Sequence, residues 1–514
     1  LTDVQPKVDE GLERGLPSGG VGRTVTRGMS WSFLGVWSSY AIQLGTTMIL
    51  ARLLTPDQFG LMAMALTLTV VVNQFRNLGL SQAVVQSESL TWSQVNALFW
   101  INAVVGVVLG VAVGLSGFGL AAFYGEPDLV WVCVALGGGY VFSGLAVQHG
   151  ALLNRRLQFR TLAIRNTTAG LLSCVAAVIA AFAGLGVWAL VIQNLTAVLF
   201  GTLVLWLAVP WRPSRPRGFR DSFSLLKFGS NVTIANLFST FSRQADNVII
   251  GRFMDAGALG LYTKAYSLLT LPLRQLKTPI SAVMVPTLSA LQDEPERYRS
   301  TYRKTVSGLA HLGMPFVVIL AVSALEVIEV FLGHQWTAAA PVFQILAIAS
   351  FVQLVSTTAG WLWVSSGHTT SYARWSIAAS VVTIASFILG VRWGIEGVAI
   401  AYAIGQVVMF VPAFAVATHG TPVKVADPLL AMVRPVVIST IVLGAVIGMR
   451  ALAADLPPIS LLTAEVATGL AVWAGAVFAW PSARREISEL LTVVRRGRKS
   501  RAVPAGEEGG PDGA

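Results

Sequence analysis

The sequence predicts an all-α polytopic membrane protein. It is expected to have about 14 transmembrane helices, as two parallel six-helix lobes around a central cavity plus two extra C-terminal helices. Three observations carry this. Apolar residues make up 54% of the 514-residue chain, its 49 glycines lift that to about 63%, and only 12% is charged; ordinary soluble domains run near 45–50% and 25%. The apolar residues fall into runs long enough to span a bilayer, with basic residues concentrated in every second connection. The first part of the chain also echoes the middle at an offset of 200 residues. The mean hydropathy of +0.68 agrees. This composition excludes a soluble enzyme, a disordered chain and a peripheral protein with one anchor.

The runs place helices at about 30–50, 58–80, 94–120, 128–150, 162–183, 187–209 and 225–251. Seven more follow at about 258–288, 305–332, 338–364, 370–391, 395–417, 427–450 and 459–480. Connections as short as Gly184-Leu185-Gly186 make consecutive helices antiparallel neighbours. Residues 1–28 are polar and basic and lead straight into paired spans, so they read as a cytoplasmic tail rather than a cleaved signal. With that tail inside, the inner segments hold 24 Lys and Arg and the outer segments 4, Arg52, Arg252, Arg392 and Arg450. The bias puts both termini in the cytoplasm. It also accounts for the net charge of +11 without nucleic acid. Cys133 and Cys174 lie inside apolar runs and suggest neither a disulfide nor a metal site. No stretch outside the membrane could hold a catalytic domain. The expected layout is a tail (1–28), an N-lobe of spans 1–6 (29–209), a basic linker (210–224), a C-lobe of spans 7–12 (225–418), spans 13–14 (419–480) and a basic, partly disordered cytoplasmic tail (481–514). The basic part of that last tail suits an anionic lipid surface.

Ser39–Leu68 and Ser239–Leu268 share seven of 30 positions, among them Arg52/Arg252, Gly60/Gly260 and Leu61/Leu261. The matched Arg and Gly-Leu mark the end of one helix and the start of the next in both copies. Parallel repeats imply a pseudo-twofold axis along the membrane normal and a cleft between lobes.

Ionisable residues inside spans are costly and face a cavity or a partner. Span 7 carries Asn236, Ser239, Arg243, Asp246 and Asn247 at helical spacing, and Gln43 of span 1 matches Arg243. Span 2 carries Asn73, Arg76 and Asn77, and its mate, span 8, carries Lys264, Arg274 and Lys277. The candidate cavity residues are therefore Gln43, Arg76, Asn77, Arg243, Asp246, Asn247, Lys264, Arg274 and Lys277, with the second lobe the more cationic. Bland readings stand beside these. Arg243 and Asp246, three apart, can simply neutralise each other. Lys264 and Arg76 lie near span ends, and Lys227, Arg165 and Arg434 read as snorkelling. His149 and His311 read as core residues, and Glu326 and Glu329 as interfacial. Pro272, Pro279 and Pro286 recur every seven residues on one side of span 8, either bending a gate or shaping static packing. Surplus cations favour an anionic ligand, which Arg binds through forked hydrogen bonds. No phosphate-cradling Gly loop or Walker lysine appears, so nucleotide hydrolysis is not expected.

Several segments resemble the polysaccharide transporter family, Wzx-like and teichuronic-acid-exporter-like, of the multidrug/oligosaccharidyl-lipid/polysaccharide flippase superfamily. They are residues 51–64 (Ala51-Arg52-Leu53-Leu54-Thr55-Pro56 onward), Asn77-Leu78-Gly79-Leu80-Ser81-Gln82-Ala83, Gln244-Ala245-Asp246-Asn247 through Phe253, Leu259-Gly260-Leu261-Tyr262 and residues 286–293. The resemblance runs over most of 29–418. It implies two lobes around a cavity that opens alternately to each side of the bacterial cytoplasmic membrane. The implied cargo is a polyprenyl-diphosphate-linked oligosaccharide for cell-surface polysaccharide biosynthesis, moved from inner to outer leaflet without covalent chemistry or cofactor. Membrane lipids and polysaccharide polymerase or export machinery are the implied partners. In such flippases cationic cavity residues attract the diphosphate or acidic sugars. An ion gradient drives the cycle in part of the family, and Asp246 is the one coupling carboxylate the sequence offers. The competing reading is a cation-coupled exporter of small molecules on the same fold, which would favour buried acids and aromatic walls. A glycosyltransferase or polymerase would need a large outer loop or an acidic metal-binding loop, and neither is present.

Overall fold

In a computed structural model, residues 21–77, 84, 91–215, 244–453 and 455–500 are described, and side chains at 21–34, 77, 491 and 493–500 fall outside that description. Among the described residues the fold is helical throughout, with no strand. Six helices form the first lobe: α1 (Val21–Leu53), α2 (Pro56–Asn77), α3 (Trp92–Tyr124), α4 (Leu129–Arg155), α5 (Phe159–Phe182) and α6 (Val187–Ala208). The second lobe holds α7 (Ala245–Phe253), α8 (Ala256–Ala290), α9 (Pro295–Val322), α10 (Ala324–Phe331), a 3-10 turn (His334–Ala339), α11 (Ala340–Ser356), α12 (Ala359–Ser365), α13 (Thr369–Gly390) and α14 (Gly394–Ala417). Then come α15 (Ala426–Leu452), α16 (Pro458–Ala479) and α17 (Pro481–Ser500). Ten segments among the described residues are long and apolar enough to cross a membrane, and one of them, Thr369–Ala417, comprises both α13 and α14. Most of the expected seventh span, including Arg243, lies outside the described residues.

Local chemistry sets the boundaries. Thr91 opens α3 with a capping box: its hydroxyl accepts from Gln94 N and the Gln94 side chain accepts from Thr91 N. Asp255 caps α8 by accepting from Ala258 N at 2.6 Å. Small residues let helices touch where lipid offers no hydrophobic drive between them. A methyl group on Gly137 of α4 would lie 2.4 Å from the Gly110 carbonyl of α3.

Three segments depart from the sequence reading. The expected loop at 289–304 is mostly helix: α8 runs to Ala290, and α9 starts at Pro295, a residue suited to a first helical turn. The expected span at 305–332 breaks at Ser323, and α10 begins a separate short helix. Residues 481–500, read as tail, form a helix whose Ala483 and Leu490 are buried. A methyl group on Gly308 of α9 would lie 2.8 Å from the Leu490 Cβ, so α17 lies directly on α9.

Ion pairs fasten the last helices to the second lobe. Arg299 grips the fully buried Asp427 through two bonds, Nε at 2.6 Å and Nη2 at 2.8 Å. Arg434 pairs with Glu486 at 2.6 Å instead of reaching for headgroups alone. Arg450 holds the buried Glu326 at 2.7 Å, so this carboxylate is a core partner rather than an interfacial group. Replacing Asp427 with Ala removes two charge-assisted bonds. Because Arg299 is a third exposed and can rehydrate, the expected cost is about 2 kcal/mol, read as a lower thermal-unfolding midpoint of the purified protein. Arg297→Ala breaks a pair exposed on both sides and is expected to stay within about 0.5 kcal/mol.

Candidate functional site

The two lobes meet where the repeat copies cross. The Cβ missing at Gly60 would sit 1.6 Å from the Ala256 carbonyl oxygen, and the one missing at Gly260 would sit 2.0 Å from the Pro56 carbonyl oxygen. Residue 60 thus meets 256 and residue 260 meets 56, a reciprocal exchange as a twofold axis between α2 and α8 requires. Around this crossing the second lobe clamps the end of α1. Trp336 is fully buried, donates from Nε1 to the Ala51 carbonyl at 2.7 Å and meets Phe59 edge-on at 5.3 Å. Gln335 donates to the carbonyls of Ala51 and Leu54, the latter at 3.0 Å, and Arg52 donates to the Val330 carbonyl at 2.8 Å. One end of the interlobe space is therefore shut. At the other end Phe75 of α2 and Arg274, Thr278 and Pro279 of α8 are exposed.

Behind the shut end lies a chamber of about 530 Å³. Carboxamides line it from three helices or their ends: Gln43 of α1, Gln193 and Asn194 of α6, Gln244 just before α7, and Asn247 within it. Hydroxyls come from Thr47, Thr67, Ser173, Thr263 and Ser267. Among the described residues Lys264 supplies the only charge on this lining, with Nζ 3.9 Å from the Phe59 ring centre, a cation–π distance. No carboxylate lines the chamber among the described residues. An apolar groove of about 330 Å³ between α1, α8, α9 and α16 is walled by Trp37, Tyr40, Pro272, Leu276, Phe316 and Trp473.

The structure brings Gln43, Asn247 and Lys264 of the expected set together in this chamber. Arg274 is ten residues beyond Lys264, which puts it about 15 Å further along α8 and within about 80° of the same face. It stands exposed and is not part of the chamber lining. Lys277 is turned away and approaches the Gln353 carbonyl of α11 at 3.5 Å. Asp246 is buried, and its carboxylate accepts from Asn247 N at 2.8 Å, so it braces the start of α7. Arg76 lies outside the chamber, in a smaller recess within the first lobe, where Nη1 donates to Ser143 Oγ at 3.2 Å. Asn77 closes α2, its side chain outside the described residues, and Arg243 is outside them altogether. Gln193 and Asn194 are neither ionisable nor repeat mates of the expected set; two adjacent amides inside an apolar span are the sequence signal they carry. His149 packs against Trp206, with ring centres 4.8 Å apart, and His311 bonds the Ser307 carbonyl, so both sit in packed interiors.

A family profile of polysaccharide biosynthesis proteins matches residues 49–341, more than half the chain. The chain belongs to the polysaccharide biosynthesis protein family. Relatives include the lipopolysaccharide biosynthesis protein WzxC of Escherichia coli, 22% identical over 74% of this chain and 78% of that one. The teichuronic acid biosynthesis protein TuaB of Bacillus subtilis is 25% identical over 76% of this chain and 81% of its own length. Among solved structures, the lipid II flippase MurJ in an inward closed conformation superposes with a TM-score of 0.69 at 13% identity, covering 87% of this chain and 98% of MurJ. An inward-facing multidrug resistance transporter of the MATE family superposes with a TM-score of 0.57 at 12% identity, covering 80% and 98%. This family member therefore has the fold of those transporters and is a multi-pass membrane protein.

Proposed function

We propose that the protein is a flippase that carries a lipid-linked oligosaccharide across the bilayer for cell-surface polysaccharide biosynthesis. The observation that carries this is the chamber lining, which among the described residues holds five carboxamides, five hydroxyls and one ammonium, with no carboxylate. Carboxamides and hydroxyls match the paired donors and acceptors of sugar hydroxyls. Lys264 supplies a charge-assisted contact for a phosphate or an acidic sugar. A chamber for cationic drugs would favour an acid, and none lines this one among the described residues. The relatives fit, since WzxC and TuaB serve lipopolysaccharide and teichuronic acid biosynthesis and MurJ is a lipid II flippase.

In this reading the basic connections face the cytoplasm, both termini are cytoplasmic, and the shut end faces outward across the bacterial cytoplasmic membrane. The polyprenyl-diphosphate head of the substrate enters between the parted halves of α2 and α8 and reaches the amides. The groove beside Trp37 and Phe316 takes the start of the lipid tail. Breaking the contacts at Gly60, Gly260 and Trp336 while closing the opposite end then presents the head outward. The repeat halves, 29–209 and 225–418, move as the two rocking bodies. Arg274 meets the head first, and Lys264 holds it deeper in the cleft.

The test is the rate at which a fluorescent polyprenyl-diphosphate oligosaccharide becomes accessible on the far leaflet of proteoliposomes. Protein-dependent flipping is expected, slowed at least tenfold by Lys264→Gln, since one charge-assisted bond is worth about 1.5–3 kcal/mol. Uptake of a cationic dye under an ion gradient, with no glycan flipping, overturns the proposal.

A further inference from the structure

The charged start of α9 builds a cavity that shares no residue with the chamber. At 28 residues α9 is about 42 Å long, against about 30 Å of hydrocarbon, so its charged first part stands at the headgroup level. There α9, the first turns of α15 and Glu486 of α17 enclose about 710 Å³. Most charges on this wall are matched within the protein. Arg299 holds Asp427, Arg434 holds Glu486 at 2.6 Å, and Lys304 holds Glu489 at 3.0 Å. Two charges are left over. Arg303 is half exposed, and its Nε stands 3.6 Å from Asp427, a carboxylate that two nitrogens of Arg299 already occupy. Glu296 is exposed and, among the described residues, pairs with no cation. The two lie seven residues apart, about 10 Å along α9 and within about 20° of the same face. One guanidinium and one carboxylate thus look into the same cavity with a gap between them. Beside them Leu430, Val433, Val437 and Ile441 of α15 are exposed at helical spacing. They form an apolar stripe that starts at the cavity and runs toward the membrane centre.

We propose that this cavity is a bilayer-lipid site selective for phosphatidylethanolamine. The lipid phosphate meets the open fork of Arg303. The primary ammonium, with three donors like that of a lysine, meets Glu296. An acyl chain follows the stripe on α15. One charge of each sign is unmatched, so a zwitterion complements the wall. A purely anionic headgroup such as that of phosphatidylglycerol would satisfy Arg303 and set its own charge near an unpaired Glu296. Phosphatidylcholine carries both charges, but its quaternary ammonium has no hydrogen to donate. A lipid seated here bridges α9 and α15, the same two helices that Arg299 and Asp427 join, and so stabilises the docking of the last helices on the second lobe. The proposal does not depend on which substrate the chamber carries.

The test is thermal unfolding of the purified, delipidated full-length protein in detergent micelles. The micelles are doped with phosphatidylethanolamine, phosphatidylcholine or phosphatidylglycerol, and a fourth sample receives water-soluble O-phosphoethanolamine instead. Phosphatidylethanolamine is expected to raise the wild-type midpoint more than the other two lipids at equal mole fraction. Arg303→Gln should require at least tenfold more of it for the same rise. Glu296→Gln should erase its advantage over phosphatidylglycerol, and Glu296→Lys should reverse the preference. Arg297→Gln, whose exposed side chain pairs with Glu294 outside the cavity, should respond as wild type does. Glu296 has no partner to lose, so its variants are expected to keep the lipid-free midpoint and to decide the matter even if Arg303→Gln does not fold. Equal stabilisation of wild type by phosphatidylglycerol, or a preference for phosphatidylethanolamine undiminished in Glu296→Gln, overturns the site. A rise of the same size with O-phosphoethanolamine overturns the lipid as its occupant.

Discussion

Gly60→Leu is expected to abolish the shut state and, with it, turnover. The missing Cβ would lie 1.6 Å from a backbone oxygen at the start of α8, so no rotamer relieves the clash and the helices must separate. Even the upper end of ordinary overpacking, ~3 kcal/mol, shifts a two-state equilibrium by roughly a hundredfold. The protein is expected to fold with the lobes parted at this end. Spin labels at the exposed positions Thr55 and Leu325, in a background lacking Cys133 and Cys174, should report a longer distance than in the parent, and flipping should fall at least tenfold. Gly260→Leu should behave alike, because its Cβ would meet the Pro56 carbonyl at 2.0 Å. Gly45→Ala on α1, where the added atom meets nothing within 4 Å, is the neutral control. Unchanged distances in both Leu variants would remove the crossing from the mechanism.

Trp336→Ala acts on the same equilibrium by removing attraction. The indole belongs to the second lobe, while Ala51 and Phe59, its partners, belong to the first. Deleting a fully buried Trp costs about 3–5 kcal/mol, and here that cost falls mainly on the shut state, because opening separates the ring from its partners anyway. The Thr55–Leu325 distance should lengthen, and flipping should slow at least tenfold. Trp336→Phe keeps the edge-on contact and loses the bond to Ala51, a smaller effect of about 1 kcal/mol. A distance distribution unaffected by Trp336→Ala would mean that this clamp does not hold the end closed.

Most of the fold was legible because bilayer spans announce themselves as long apolar runs, and because the offset of 200 residues paired Gly60 with Gly260, the residues that touch at the interlobe crossing. The boundaries that failed share a physical cause. Charged residues such as Arg297, Arg299 and Arg303 looked like a loop, but they are good helix formers and extend α9 beyond its apolar part, where Asp427 receives Arg299. Residues 481–500 read as a basic tail for the same reason, although Ala483 and Leu490 lie on the side that packs down. Within the candidate site, charge was a partial guide. It found Lys264, yet Lys277 lies three residues from Arg274 and so points about 300° around the helix, toward α11. Neutral amides such as Gln193 and Asn194 carry no signal of that kind, and only the folded arrangement gathers them with Gln43 and Asn247.

The central claim is that one chamber faces each side of the membrane in turn. Its most direct test is the accessibility of Ser267→Cys, a chamber position, to a membrane-impermeant maleimide applied to either face of oriented vesicles, with Cys133 and Cys174 replaced. The account predicts labelling from the cytoplasmic face alone without substrate. It predicts added labelling from the outer face once a polyprenyl-diphosphate oligosaccharide is supplied. Labelling confined to one face under every condition, in vesicles that still flip the glycan, would contradict it.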